Sequence, residues 1–227
     1  MLPTYNEAEN IRPITEAIRR VAPDAHVLIV DDHSPDGTWK IAEAMAAEDD
    51  RVHLLDRTEK RGRGYAGAAG FQWAVEREYD PIIEMDADFS HDPFYIPQLI
   101  EESKAADVVL GSRGVEGGGE SGRGLLRRLI TAGAATYLRT MLGVRGVKDP
   151  TSGYRCFRLE AMRRIRPETL TAPGPAIVSE VLFRCRGMRI KEVPIRFRDR
   201  EKGRSKFGFK AMIESLLYAL RLRLRGR

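Results

Sequence analysis

Cysteine is scarce in this chain. Only Cys156 and Cys185 occur among its 227 residues. Two thiols without a metal-ligand spacing exclude a disulfide framework and point to a reducing compartment. Long hydrophobic runs are missing as well. No apolar stretch approaches the ~20 residues that a membrane span needs, and no signal-peptide pattern is seen. Any membrane contact is therefore expected to be peripheral, on the cytoplasmic face. There is no Ser-His-Asp or Cys-His pattern to suggest nucleophilic catalysis. Aromatic residues make up 7 % of the chain and do not interleave with its basic segments around a recognisable motif, which argues against nucleic-acid binding. No internal repeat or low-complexity segment is present.

What is present suits one sizeable domain. Apolar residues account for 42 % of the chain, enough for a core, and the net charge is +5. The charge is unevenly placed. From Arg184 to Arg227 there are 15 Lys and Arg against four acids, whereas the rest of the chain has 23 against 29. A basic tail on an acidic body predicts an anionic partner for the tail.

Strand and helix patterns alternate through the first half. Met1 to Glu7 reads as a turn leading into a helix that reaches Val21. Almost nothing precedes Leu2, so the first strand is expected to be missing. Strands are predicted at 26–30, 52–56, 82–85 and 108–111, and helices at 38–48, 65–78 and 94–104. This alternation predicts a mostly parallel sheet with helices on both faces, its ligand site at the carboxyl ends of the strands. Gly114 to Gly124 is a glycine-rich loop. Helices at 125–142 and 177–186, a strand at 189–197 and a charged loop from Asp199 to Lys206 follow. From Phe209 onward, Ile213, Leu216, Leu217, Leu220 and Leu224 keep helical spacing between arginines. Such a basic amphipathic helix suits either a membrane surface or docking on the core.

The most informative stretch is Ile82-Ile83-Glu84-Met85-Asp86-Ala87-Asp88-Phe89-Ser90-His91-Asp92-Pro93. An apolar strand pattern runs straight into acids. In extended backbone, Asp86 and Asp88 would point to one side, where two carboxylates repel unless a cation lies between them. Hard oxygen ligands suit Mg²⁺ or Mn²⁺, and magnesium held by one or two carboxylates completes its shell with substrate phosphates. His91 reads as structural rather than as a base. Gly62-Arg63-Gly64-Tyr65-Ala66-Gly67 matches the dinucleotide fingerprint, but it follows a long charged loop in a later βα unit, so a Rossmann oxidoreductase is disfavoured.

Taken together, the loops resemble the family 2 glycosyltransferases of GT-A fold, within them the dolichyl/polyprenyl-phosphate mannosyltransferases. The resemblance rests on Pro3-Thr4-Tyr5-Asn6-Glu7-Ala8-Glu9-Asn10, Val30-Asp31-Asp32-x-Ser34-Pro35-Asp36-Gly37-Thr38 and Arg57-x-x-Lys60-x-Gly62-x-Gly64. It extends through Met85-Asp86-Ala87-Asp88-x-Ser90-His91-x-Pro93, Gly111-Ser112-Arg113 and Asp149-x-Thr151-Ser152-Gly153. It ends with Glu192-Val193-Pro194-Ile195-x-Phe197-x-Asp199-Arg200-x-x-Gly203-x-Ser205-Lys206.

The resemblance implies one GT-A domain over 1–227. Residues 1–113 would bind nucleotide sugar and metal, 114–206 the acceptor, and 207–227 would form the basic amphipathic helix. Pro3, Tyr5, Glu7, Val30 and Asp32 would line the nucleotide pocket, with Lys60 beside it. Asp86, Asp88 and Ser90 would hold Mg²⁺ or Mn²⁺, with Ser90 acting either directly or through water. Arg113, Arg200 and Lys206 would bind the acceptor phosphate, and with Asp88 they form the expected catalytic set. The implied donor is GDP-mannose and the acceptor polyprenyl or dolichyl phosphate, at a membrane surface or beside a membrane-anchoring partner protein. UDP-glucose as donor, a GT-A nucleotidyltransferase and a non-enzymatic anionic-lipid binder are the rivals. No N-terminal glycine-rich phosphate loop supports the nucleotidyltransferase, and lipid binding alone leaves the acidic loops unexplained.

Overall fold

A computed structural model describes residues 1–120, 125–144, 146–172, 174–197 and 209–225, with side chains described from 133 in the helix at 125–142 and over 213–224 in the last one. The first half runs β1 (Leu2–Thr4), α1 (Ile11–Val21), β2 (Val27–Asp31), α2 (Thr38–Glu48), β3 (Val52–Asp56), α3 (Arg63–Glu76), β4 (Ile82–Glu84), α4 (Ile96–Ser103) and β5 (Val108–Ser112). The second half adds β6 (Gly119–Glu120), α5 (Leu125–Leu142), β7 (Arg155–Phe157), α6 (Leu159–Ile165), α7 (Ile177–Arg184), β8 (Ile190–Pro194), β9 (Arg196–Phe197) and α8 (Phe209–Arg225).

Strands β1, β2 and β3 pair in parallel. Strand β7 lies antiparallel between β4 and β5, and β8 runs parallel to β5. The two groups are stitched together at Met1. Its nitrogen donates to Ile83 O at 2.5 Å, and its oxygen accepts from Met85 N at 3.2 Å, the alternation of a parallel ladder. The strand order is therefore β3-β2-β1-β4-β7-β5-β8. Strand β2 is buried along its whole length, as a strand covered on both faces must be. On one face α1 buries Ile11, Ile14 and Ile18, one helical stripe, in a core shared with Met45 and Leu99. On the other face lies a larger core with Phe71, Leu142, Phe157, Met162, Leu182 and Ala219, drawn from α3, β7 and the C-terminal helices.

The expectation of a mostly parallel sheet holds, with β7 as the antiparallel exception. Three readings need correction. A first strand is present: Leu2 and Thr4 are buried and pair with Ile29 and Asp31. Three residues are too few to show a period-2 pattern. The strand expected at 189–197 is two strands, because β8 pairs with β5 while β9 turns to β6. Helix α6 was not foreseen, since seven residues are too short for helical periodicity to stand out.

Glu84 and Arg155 place opposite charges inside this sheet. Glu84 faces Arg155 across the β4–β7 pair, and their relative exposures are 2 % and 0 %. Arg155 also donates from Nε to Ser152 O at 2.7 Å, from Nη1 to Val178 O at 2.7 Å and from Nη2 to Pro150 O at 3.3 Å. One guanidinium thus ties β7, the turn before it and α7 together. Removing one member of such a buried arrangement strands the others. Arg155→Met is expected to cost about 3–5 kcal/mol in urea unfolding, and a loss below about 1 kcal/mol would mean that the carbonyls find other donors.

Candidate active site

The loops at the carboxyl ends of β1 and β2 are pinned to each other by side chains. Asp31, fully buried, accepts from Thr4 Oγ1 at 2.8 Å, from Ser34 N at 2.7 Å and from Ser34 Oγ at 2.7 Å. Asn6 N donates to Ser34 Oγ at 3.0 Å, Glu7 N to Thr38 Oγ1 at 2.9 Å and Ala8 N to Asp36 Oδ2 at 3.1 Å. Of the two adjacent acids, Asp31 is therefore the structural tie and Asp32 the one at the site. Gly62 N donates to Asp32 Oδ2 at 2.5 Å, and Arg57 pairs with Oδ1. Burial still raises the carboxyl's pKa against these two partners. Gly62 has φ 137°, a conformation that favours glycine, as it turns the loop into α3.

These loops open onto a cavity of about 620 Å³. Pro3, Tyr5, Glu7, Asp32, Arg63 and Asp86 line one side, and Leu138, Thr151, Gly153, Pro175, Val178 and Ser215 come from the second half of the chain. Four of the expected nucleotide residues, Pro3, Tyr5, Glu7 and Asp32, are thus brought together. Two are not on the wall. Val30 is fully buried in a small cluster with Leu28 and Ala66, because all of β2 is interior. Lys60 sits exposed with φ 48° in the preceding loop, outside the lining.

The acidic stretch departs from the strand geometry expected of it. Strand β4 stops at Glu84, so Asp86 and Asp88 lie beyond it, and they differ in exposure. Asp86 is on the cavity wall with 29 % of its side chain exposed, whereas Asp88 is 5 % exposed. Ser90 donates to Asp88 Oδ1 from Oγ at 2.6 Å and from N at 3.0 Å, so its hydroxyl orients that carboxylate. His91 is buried, and its Nδ1 accepts from Asp86 N at 3.0 Å. Its ring stacks on Tyr154 at 5.0 Å, and burial lowers its pKa. It is a neutral prop for the loop, in line with the structural role expected.

Alternation does operate one step earlier, between Glu84 and Asp86. Arg63, at the start of α3, donates from Nη1 to Glu84 Oε1 at 3.3 Å and from Nη2 to Asp86 Oδ1 at 3.0 Å. Burial opposes the charge on Arg63, but Asp86 and Glu84 outweigh it and raise the guanidinium's pKa. Burial raises that of Glu84 against the same arginine and Arg155. Neither Arg63 nor Glu84 was among the residues expected at the site. An acid inside an apolar strand run was the available signal.

Among the described residues no group of three or more His, Cys, Asp or Glu could hold a metal alone. Two hard carboxylates at a loop beside a cavity still fit Mg²⁺ or Mn²⁺, whose shell is normally completed by water and substrate phosphate. Ser90 fits the role of orienting Asp88 better than that of a direct ligand.

Arg113 lies at the end of β5, 14 % exposed, and is heavily engaged. It donates from Nε to Asp149 Oδ2 at 2.6 Å and from Nη2 to Asp149 Oδ1 at 2.8 Å and Thr151 Oγ1 at 2.6 Å, and its Nη1 lies 2.8 Å from Glu120. Burial would raise the carboxyl of Asp149, but Arg113 holds it below the ordinary range. Arg113 therefore braces the turn that supplies Thr151 and Gly153 to the cavity. Arg200 and Lys206 lie outside the described residues.

Residues 1–166 match the family described as glycosyl transferase family 2. The chain is 42 % identical to the undecaprenyl-phosphate mannosyltransferase of Micrococcus luteus, over 100 % of its own length and 94 % of the relative's. It is 39 % identical to the polyprenol monophosphomannose synthase of Mycolicibacterium smegmatis, over 100 % and 87 %. Against the dolichol-phosphate mannosyltransferase of Pyrococcus furiosus it is 34 % identical over 98 % of this chain but 62 % of the relative, so it spans less than two thirds of that protein. Among solved structures, glucosyl-3-phosphoglycerate synthase from Mycobacterium tuberculosis in complex with Mn²⁺ and UDP-glucose aligns with a TM-score of 0.70 at 21 % identity, over 98 % of this chain and 77 % of that one. That likeness shows the GT-A fold and no more. The family match and the full-length identities together show that this chain belongs to glycosyl transferase family 2.

Proposed function

We propose that the protein transfers mannose from GDP-mannose to a polyprenyl or dolichyl monophosphate, with inversion at the anomeric carbon and with Mg²⁺ or Mn²⁺. The observation that carries this reading is the 42 % identity, over the whole chain, to a protein named for undecaprenyl-phosphate mannosyl transfer. The cavity supports it, because acids and arginines from the first half face apolar and small residues from α5, α7 and α8.

In this mechanism Tyr5, Glu7 and Asp32 wall the nucleoside end. A fixed carboxylate such as Asp32 suits the planar N–H donors of a base. Asp86, with Asp88 held by Ser90, faces the diphosphate. The metal, when bound there, stabilises the charge that develops on the leaving nucleoside diphosphate. The acceptor phosphate is already anionic near neutral pH, so its oxygen attacks the anomeric carbon without a strong general base. The bond to the diphosphate oxygen breaks as the new one forms. The protein's task is to bring two anions together, which cations do. We assign the acceptor phosphate to Arg200 and Lys206, while Arg113 braces Thr151 in the cavity wall.

The deciding experiment is transfer of labelled sugar to a short polyprenyl phosphate. GDP-mannose with Mn²⁺ is expected to give product, UDP-glucose far less, and EDTA none. Asp88→Asn is expected to abolish transfer while leaving the melting temperature near wild type. Full turnover by Asp88→Asn, or preference for UDP-glucose, would overturn the assignment.

The acceptor's tail requires a bilayer, and no described helix is long and apolar enough to cross one. Helix α8 offers a peripheral contact. One face docks: Ala219 is fully buried, Tyr137 Oη donates to Leu216 O at 3.3 Å, and Tyr218 Oη donates to Glu180 at 3.0 Å. The opposite face exposes Ile213, Leu217, Leu220 and Leu224, flanked by the exposed Arg221 and Arg223. The helix thus docks on the core through one face and leaves the other exposed, which supports a surface role for that face. We assign the exposed stripe to an anionic membrane surface, where each basic residue contributes about 1 kcal/mol. Co-sedimentation with anionic vesicles is expected at low salt and should weaken when Arg221, Arg223, Arg225 and Arg227 are changed to Gln. Binding unchanged by these substitutions, or no binding at low salt, would leave the helix as a docking or core element only.

A further inference from the structure

Arg63 is a cation placed at a carboxylate assigned to a metal. Its guanidinium spans Glu84 and Asp86 at 3.3 Å and 3.0 Å, and it stands on the cavity wall with 26 % of its side chain exposed. Its position is fixed from both directions. The preceding residue, Gly62, is tied through its N–H to Asp32. On the far side, a Cβ at position 153 would stand 3.1 Å from Nη2, so Gly153 leaves the room that the guanidinium fills. Glu84 is 2 % exposed, and a buried carboxylate needs a cation beside it. Arg63 thus has a reason to stay whether or not Asp86 remains its partner.

We propose that Arg63 is the resident counter-cation of Asp86 and makes divalent-metal binding depend on the nucleoside diphosphate. The inference rests on the reading of Asp86 as a metal ligand. A positive charge hydrogen-bonded to Asp86 repels a second cation at the same carboxylate. A diphosphate reverses that balance, because its oxygens attract both the metal and the guanidinium. Metal and nucleotide then bind cooperatively, and the coupling is the same seen from either ligand. A planar fork held between two carboxylates suits this role, whereas a lysine would supply one point charge and bridge them poorly.

The test is Mn²⁺ binding followed by the electron paramagnetic resonance of free Mn²⁺, with and without GDP and with no sugar or lipid present. The proteins are wild type, Arg63→Gln, Arg63→Lys, Arg63→Gln/Glu84→Gln and Asp86→Asn. The double variant removes Arg63 and its buried partner Glu84 together and leaves Arg155 its three carbonyl acceptors, so it remains informative where Arg63→Gln fails to fold. Wild type is expected to bind Mn²⁺ weakly alone and much more tightly with GDP. The double variant should bind Mn²⁺ alone about tenfold more tightly, the size of a neighbouring charge's effect on a carboxylate, and should lose most of the gain from GDP. Arg63→Lys should fall between the two. If Asp86→Asn abolishes Mn²⁺ binding but the folded double variant binds as wild type does, the role of Arg63 is overturned and the metal assignment stands. If Asp86→Asn leaves Mn²⁺ binding intact, the metal assignment falls and the inference with it.

Discussion

Glu84 is the constraint around which the site is arranged. A carboxylate buried at the end of a central strand is costly unless cations and hydrogen bonds compensate it. Two arginines approach it from different parts of the chain, Arg155 from the neighbouring strand β7 and Arg63 from the start of α3. Each has a second task. Arg155 donates to the carbonyls of Pro150, Ser152 and Val178, which fixes one wall of the cavity. Arg63 reaches Asp86, which fixes the other. The halves of the cavity are therefore set relative to each other by charges meeting at one strand end, and apolar packing alone would not specify that registry.

The loops are held by the same economy of short polar side chains. Asp31, Ser34, Asp36 and Thr38 take up backbone N–H groups of residues 6–8 and of their own loop. Asp149 does the same for Arg113 and Thr151. Buried backbone donors need partners, and supplying them from adjacent loops makes the rim rigid before any ligand arrives. A preorganised rim lowers the ordering cost of binding.

Much of this was legible in the sequence, and the limits have physical causes. Helices α1, α2 and α5 and the buried strands β2 and β5 declare themselves because each repeats its pattern over enough residues. Strand β1 does not, with three residues and half a pattern. At the site, the acids of the Asp86–Asp88 stretch stood out because carboxylates after an apolar run are unusual. Arg63 was hidden because it is one basic residue among several from Arg57 to Arg63, and nothing local separates Arg57 and Arg63, which turn inward, from Lys60 and Arg61, which are exposed. Arg113 was seen, but its partners at 149–151 lie some forty residues away, so a loop-end arginine read naturally as a phosphate ligand when part of its task is to brace a turn.

Helix α8 links the cavity to the surface. Ser215 lines the cavity, while Ile213, Leu217, Leu220 and Leu224 face outward. At 3.6 residues per turn, Ser215 falls opposite that stripe. One helix diameter, about 10–12 Å, thus separates the cavity wall from whatever covers the apolar face. A surface that binds the stripe lies parallel to the helix and within that distance of the cavity. Glu180 anchors the arrangement from below, accepting from Tyr218 Oη, Arg184 and the amides of Thr171 and Ala172. The helix consequently cannot be drawn toward a membrane without pulling on α7, which supplies Val178 and Ser179 to the same cavity. If the stripe meets a membrane as proposed, that contact and the shape of the proposed acceptor pocket are coupled through this helix, in part by the hydrogen bond from Tyr218 to the buried Glu180.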